Sequence, residues 1–304
     1  MLTPLVQKRL AAGTAAAAAL SASVFLIARA LAAGPAAGAP AGVPGKTLHG
    51  KFVWFDLLTK DGAAAEKFYA GLLGWTFEAR KDRQLPYRVI RSKGELIGGV
   101  MDVSSRAQDV PESTWLSYVS VGDVDTAAAG FKARGGKVLK EPLEVAGGKA
   151  RAAVVTDPQG ALVGLVHFAK GDRPDRIPTD EGRFLWMEYV AQDAEGAMSF
   201  YRDALGYEPK PIDAGVKLAY WALAVGGTNR AGLYQTPWKE VRSNWLPYVL
   251  VADASAAAAK AKALGGRVVV EPRADVRNGS LAIVVDPTGA AIALQKWPFE
   301  PQTK

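Results

Sequence analysis

An internal repeat constrains this chain more than any other feature. Phe52-Val-Trp-Phe-Asp56, Asp61, Phe68-Tyr69 and Leu73-Gly74-Trp75 return 132 positions later as Phe184-Leu-Trp-Met-Glu188, Asp193, Phe200-Tyr201 and Leu205-Gly206-Tyr207. A second block repeats Trp115 to Pro142 as Trp245 to Pro272, and a third pairs Val155 to Gly160 with Val285 to Gly289. Three matched blocks in one order mean two copies of one domain. The 304 residues then divide into repeats at 48–169 and 181–298, each of about 120 residues and able to bury its own core. Residues 170–180, polar and with two prolines, read as a linker, and 299–304 as a tail.

Residues 1–47 differ in kind. Lys8 and Arg9 precede an uncharged Ala/Leu-rich run from Leu10 to Ala28, and Arg29 to Ala33 offers a small-x-small cleavage site. That order is expected of a secretory signal peptide, and so of an exported protein, periplasmic or extracellular. The competing expectation is an uncleaved membrane anchor, because the run has about bilayer-spanning length. No cysteine occurs, which removes disulfides, thiolate nucleophiles and Cys-ligated metals together. The net charge of +7 falls to about +4 without Lys8, Arg9 and Arg29, and the remaining charges form no basic stripe. Nucleic acid is therefore not an expected partner, and a membrane is one only through the N-terminal segment.

Within a repeat, Gly50 to Leu58 is strand-like, and Asp61 caps a helix with Ala64, Ala65, Phe68, Tyr69 and Leu72 or Leu73 at helical spacing, ended by Gly74. Strands follow at Tyr87–Ile90 and Leu96–Met101. The pattern restarts with a strand at Trp115–Val121 and a helix capped by Asp123. Further strands are expected at Val138-Leu139, Ala150–Val155 and Ala161–Phe168, with a turn at Asp157 to Gly160. Each repeat is thus two strand-helix-strand-strand-strand modules, an α+β fold.

The spacing from Asp61 to Phe68-Tyr69 and Leu73-Gly74, the Gly122-Asp123-Val-Asp125 helix start and the Asp157-Pro-x-Gly160 turn resemble the vicinal oxygen chelate superfamily of glyoxalases, bleomycin-resistance proteins and extradiol dioxygenases. The resemblance implies two tandem glyoxalase-like domains, each an open curled sheet of paired βαβββ modules around a cavity. It also implies a divalent metal held by His, Glu or Gln. The positions it assigns are Trp54 and Trp186, Leu116 and Leu246, Gly164 and Ala293, with a fourth ligand near Ile97–Met101 and Ala231–Tyr234. None offers a lone pair suited to a hard cation. Of the two histidines, His49 precedes the first strand and His167 has the wrong parity. The expectation is no metal and no cofactor.

Strand alternation places Phe52, Trp54, Asp56 and Leu58 on one face, and Phe184, Trp186, Glu188 and Val190 on the matching face. Tyr118 and Tyr248 point the same way. Each cavity is expected to present a Trp, a Tyr and a carboxylate, so the candidate ligand-binding residues are Trp54, Asp56, Tyr118, Trp186, Glu188 and Tyr248. An aromatic beside an acid suits a cationic or amine-bearing ligand. Asp56 and Glu188 are also the candidate catalytic acid/bases. The function expected is metal-independent binding of an aromatic or amphipathic small molecule, as in the bleomycin-resistance branch. The alternatives are a metal-independent isomerase or lyase, a metal-dependent glyoxalase or dioxygenase, and a non-binding scaffold. A monomer with its repeats acting as a pseudo-dimer is expected. Met101 against Tyr234 and Gly164 against Ala293 foretell cavities of different size.

Overall fold

The computed structural model describes residues 45–80, 85–106, 112–214 and 218–298. The expected leader or anchor and the tail lie outside the described residues, apart from the last few positions before the first repeat. The first repeat runs β1 (Phe52–Thr59), α1 (Gly62–Leu73), β2 (Thr76–Arg80), β3 (Tyr87–Ser92) and β4 (Glu95–Asp102). Its second module follows as β5 (Thr114–Ser120), α2 (Val124–Ala133), β6 (Lys137–Val145), β7 (Ala150–Thr156) and β8 (Leu162–Phe168). The second repeat has β9 (Phe184–Ala191), α3 (Ala194–Leu205), β10 (Glu208–Pro211), β11 (Tyr220–Val225) and β12 (Thr228–Gln235). It ends with β13 (Asn244–Leu250), α4 (Ala254–Ala263), β14 (Arg267–Val270), β15 (Leu281–Val285) and β16 (Ala291–Gln295).

Local chemistry sets these bounds. Asp61 and Asp193 accept from the backbone N–H of Ala64 and Gly196, satisfying donors that the first helical turn leaves over. Gly74 and Gly206 end the same helices at φ 67°, a left-handed conformation that any Cβ would disfavour. Each repeat forms one open eight-stranded mixed sheet, ordered β2-β3-β4-β1-β5-β8-β7-β6 and β10-β11-β12-β9-β13-β16-β15-β14. The first strands of the two modules, β1 and β5, pair antiparallel at the centre, and each runs parallel to the last strand of its own module. The expected α+β tandem architecture is what the chain adopts.

One core runs through both repeats. Phe55, Leu57, Phe68, Tyr69, Trp115 and Phe131 of the first pack in the same cluster as Tyr189, Phe200, Tyr201, Trp245 and Val249 of the second. Phe131 meets Phe200 edge-on at 5.0 Å, and Phe55 stacks on Phe184 at 3.8 Å. Buried polar groups tie the same junction. Tyr201 donates to Asp157 Oδ2 at 3.0 Å, joined there by the Tyr189 hydroxyl, and Tyr207 donates to Gly50 O at 2.6 Å. The Asp157 turn is therefore an inter-repeat anchor as well as a turn.

Strict alternation fails at the start of both strands. Phe52 leaves the cluster that holds Trp54 and packs in the shared core against Trp245 at 4.8 Å, and Phe184 packs against that core too. The register shifts between Phe52 and Trp54 on β1 and between Phe184 and Trp186 on β9, opposite Tyr248 and Val249, and an extra residue in a ladder reverses the alternation before it. The linker is also more than a spacer. Asp172 accepts from Leu48 N and Ser120 Oγ, both at 2.6 Å, while Asp175 pairs with Lys51 at 3.1 Å and Arg230 at 2.7 Å.

Burial, reinforced by the Asp157 charge, pushes the Tyr201 and Tyr189 phenols up, and burial alone does so for Tyr207. The native state thus keeps phenol protons that the unfolded chain releases near pH 10. This contribution to stability is present below about pH 10 and is lost as pH rises further. Spectrophotometric titration should show most tyrosine ionisation arriving together with loss of the fold. A smooth, reversible ionisation of all nine tyrosines near pH 10 with the fold intact would contradict this packing.

Candidate functional site

On the sheet face away from the helices, each repeat holds one carboxylate on its first strand. In the first repeat Asp56 is fully buried, and its Oδ1 accepts from Trp54 Nε1 and from the Tyr87 hydroxyl, both at 2.7 Å. Tyr87 reaches it because position 99, paired with Asp56, is glycine: a Cβ there would stand 2.0 Å from the Tyr87 hydroxyl. Burial, and then the Asp56 charge, hold the Tyr87 phenol well above its ordinary range. Around this bond Trp54, Leu58, Met101, Leu116, Tyr118, Leu139, Val145 and Val166 close into a packed cluster. Trp54 and Tyr118 are each 1% exposed. The Trp, Tyr and carboxylate expected in this cavity are brought together, but as a filled interior.

The second repeat uses the same plan with a different outcome. Glu188 Oε1 accepts from the Tyr220 hydroxyl at 2.9 Å and also receives Arg277 Nη2, while Oε2 accepts from the Tyr248 hydroxyl. Trp186 Nε1 donates to the Tyr220 hydroxyl at 3.1 Å, rather than to the carboxylate as Trp54 does. Gly232 again makes the room, since a Cβ would lie 1.7 Å from the Tyr220 hydroxyl. Arg277 Nη1 donates to Gln295 Oε1 at 2.9 Å, and its guanidinium lies over the rings of Tyr248 and Tyr220 at 5.2 and 5.8 Å. Burial opposes that charge, but the Glu188 carboxylate outweighs it and the Arg277 pKa is raised. Tyr220 and Tyr248 are pushed up by burial and then by Glu188.

This interior is open. A cavity of about 650 Å³ is lined by Trp186, Tyr220, Tyr248, Arg277 and Gln295, by Phe52, Phe55 and Phe184 from the junction, and by linker residues 175–178. Trp54, Asp56, Tyr87 and Tyr118 line neither this cavity nor its neighbour of about 490 Å³. The difference has a local cause. Strand β6 spans nine residues and lays Leu139 and Val145 over the first interior, whereas its counterpart β14 has four and leaves Val269 38% exposed. Ile177, Ile212 and Trp297 line the open cavity and are exposed large apolar side chains.

The acid is not available as the sequence suggested. A carboxylate already matched by a buried guanidinium gives a cationic ligand little added attraction, and Glu188 stands behind Tyr220 and Tyr248 rather than on the cavity wall. A divalent ion does not fit this donor set either. Among the described residues no group of three or more His, Cys, Asp or Glu converges. A side chain at Gly164 would meet Tyr118 Cδ1 at 2.1 Å, and a cation at Glu188 would meet Arg277. Tyr87, Tyr220, Arg277 and Gln295 escaped sequence reasoning. The tyrosines carried a signal, since Tyr87 and Tyr220 recur at nearly the common offset. Arg277 carried one only as a difference, standing where the first repeat has the small turn Ala146-Gly147-Gly148.

Residues 51–165 match the profile of the Glyoxalase/Bleomycin resistance protein/Dioxygenase superfamily, and residues 186–294 that of a glyoxalase-like domain. The chain belongs to this superfamily, in two tandem copies. CFP32 of Mycobacterium tuberculosis (strain CDC 1551 / Oshkosh), a candidate glyoxylase by name, is 31% identical over 80% of this chain and 93% of its own length. The anthracycline biosynthesis protein DauV of Streptomyces sp. (strain C5) is 31% identical over 81% of this chain and 92% of its own. Among solved structures, the Mn(II)-bound glyoxalase of Novosphingobium aromaticivorans superposes with a TM-score of 0.56 at 18% identity, covering 84% of each chain. That identity supports the shared fold alone.

Glu188→Gln should destabilise the protein by about 3–5 kcal/mol, because it leaves a buried guanidinium without its counter-charge. Adding Arg277→Met should recover most of that loss in denaturant unfolding. Equal stability of the wild type and Glu188→Gln would show that the pair is not buried as described.

Proposed function

We propose that this superfamily member is a small-molecule-binding protein whose second repeat takes one aromatic or amphipathic organic ligand without a metal ion, while the first repeat serves as its structural half. The observation that carries this reading is the cavity of about 650 Å³, lined by Trp186, Tyr220, Tyr248, Phe52, Phe55 and Phe184 together with polar groups that include Arg277 and Gln295. A mostly apolar pocket of several hundred cubic ångströms with a few fixed polar groups is the usual form of a small-molecule site. The relative named for anthracycline biosynthesis favours an organic ligand of that kind. The basic, apolar and small-residue order from Lys8 to Ala33 favours an exported protein.

An isomerase or lyase using a carboxylate as base is the weaker reading. Both Glu188 oxygens already accept hydrogen bonds, and Asp56 lines neither of the two cavities at the junction. A scaffold without a ligand is weaker too, because it gives no reason for an open aromatic interior beside a filled one.

Tryptophan fluorescence and calorimetric titration against a panel of aromatic compounds test the proposal. The expected result is saturable binding at one site per chain. Trp186→Ala should weaken it by about 2 kcal/mol, roughly thirtyfold, and Trp54→Phe should leave affinity unchanged. Two equivalent sites per chain, or an affinity indifferent to Trp186→Ala, would overturn the reading.

A further inference from the structure

Arg277 is held in a conformation that its residue type disfavours. It opens a short turn in which Arg277, Asn278 and Gly279 have φ of 46°, 54° and 77°. An L side chain in this region is strained and persists where surrounding structure fixes it. The corresponding turn of the first repeat is also left-handed at Ala146, Gly147 and Gly148, but it projects nothing longer than a methyl group. Of these two turns, only the one beside the open cavity sends a guanidinium inward.

That guanidinium is fixed from two sides. Glu188 takes Nη2 and Gln295 takes Nη1, and Gln295 is itself anchored by Nε2 donation to Ser280 O at 3.0 Å, Ser280 Oγ at 2.8 Å and Lys296 O at 2.8 Å. A guanidinium has five N–H donors. Two have named acceptors, and Nε has none among the described residues although Arg277 is only 7% exposed. The charges lining the cavity lean the same way. Lys51, Arg176, Arg230 and Arg277 face Asp175 and Asp213, and counting Glu188 behind the wall still leaves a positive excess. A preorganised planar cation with spare donors, in the wall of an aromatic cleft, complements an oxygen anion on a ring system.

We propose that Arg277 makes the second-repeat cavity selective for aromatic anions, ring systems bearing a carboxylate or an ionised phenol. This rests on the reading that the same cavity binds an aromatic ligand. The ring lies among Trp186, Phe55 and Phe184, and the anionic oxygen meets the guanidinium edge. Glu188 and Gln295 are positioning residues that hold that edge in place.

Three probes of one shape separate the possibilities: naphthoate, the neutral naphthamide and naphthylmethylammonium, each titrated against the whole protein. Naphthoate should bind roughly tenfold to a hundredfold more tightly than naphthylmethylammonium, with the amide between them. Arg277→Met should reverse the order, because the Glu188 charge is then uncompensated and favours the ammonium. Glu188→Gln with Arg277→Met, which buries no lone charge, should bind all three about equally and keeps the test open if the single variant does not fold. Comparable binding of all three probes to the wild type would overturn anion selectivity while leaving aromatic binding intact. An anion preference that survives Arg277→Met would overturn the role given to Arg277. No saturable binding of any probe would overturn both readings.

Discussion

A carboxylate on the inward face of the first strand is the constraint to which each repeat is built. Removing such a charge from water costs several kcal/mol unless hydrogen bonds or a counter-charge replace the lost hydration. The first repeat answers with Trp54 and Tyr87 and then closes apolar side chains around them. The second answers with Tyr220, Tyr248 and Arg277, and there the partners themselves become the wall of an open cavity. Both answers need a glycine opposite the acid, Gly99 or Gly232, so that a tyrosine hydroxyl can approach. The two buried carboxylates thereby fix three tyrosines, an arginine and two glycines.

The shared core makes the repeats unequal partners in one site. Phe55 and Phe184 stack across the junction, and both also line the second-repeat cavity together with Phe52. The strapped linker adds Asp175 to Pro178, tied down through Lys51 of the first repeat and Arg230 of the second. The filled first repeat therefore supplies a packed wall to its neighbour's cavity, and on the proposed reading such a fixed wall reduces the entropy lost on ligand capture.

Much of the fold was legible because its signals are local. Asp61 and Asp193 before helical spacing, Gly74 and Gly206 after it, and apolar alternation along the central strands each carry a physical meaning in isolation. Strand β2, reading Thr-Phe-Glu-Ala-Arg at a sheet edge, was not legible, since an exposed edge strand need not alternate. The inward Trp, Tyr and carboxylate were found from parity, which holds wherever no bulge intervenes. Strict alternation breaks at Phe52 and Phe184, beyond the register shifts, where both rings turn to the junction of the repeats and border the open cavity there. Arg277 was invisible for a different reason. Its role depends on a left-handed turn and on a contact with Glu188 89 positions away, and neither leaves a periodic trace. The unequal lengths of β6 and β14, which decide whether an interior is filled or open, likewise emerge only from pairing.

The central claim is that one interior of the chain binds and the other supports. The most direct test is a crystal of the protein soaked with a brominated naphthoate and measured at the bromine absorption edge. A single strong anomalous peak per chain is expected among Trp186, Phe55 and Phe184, with the carboxylate directed at Arg277. A peak beside Trp54 and Tyr118, or peaks of equal height in both repeats, would contradict it.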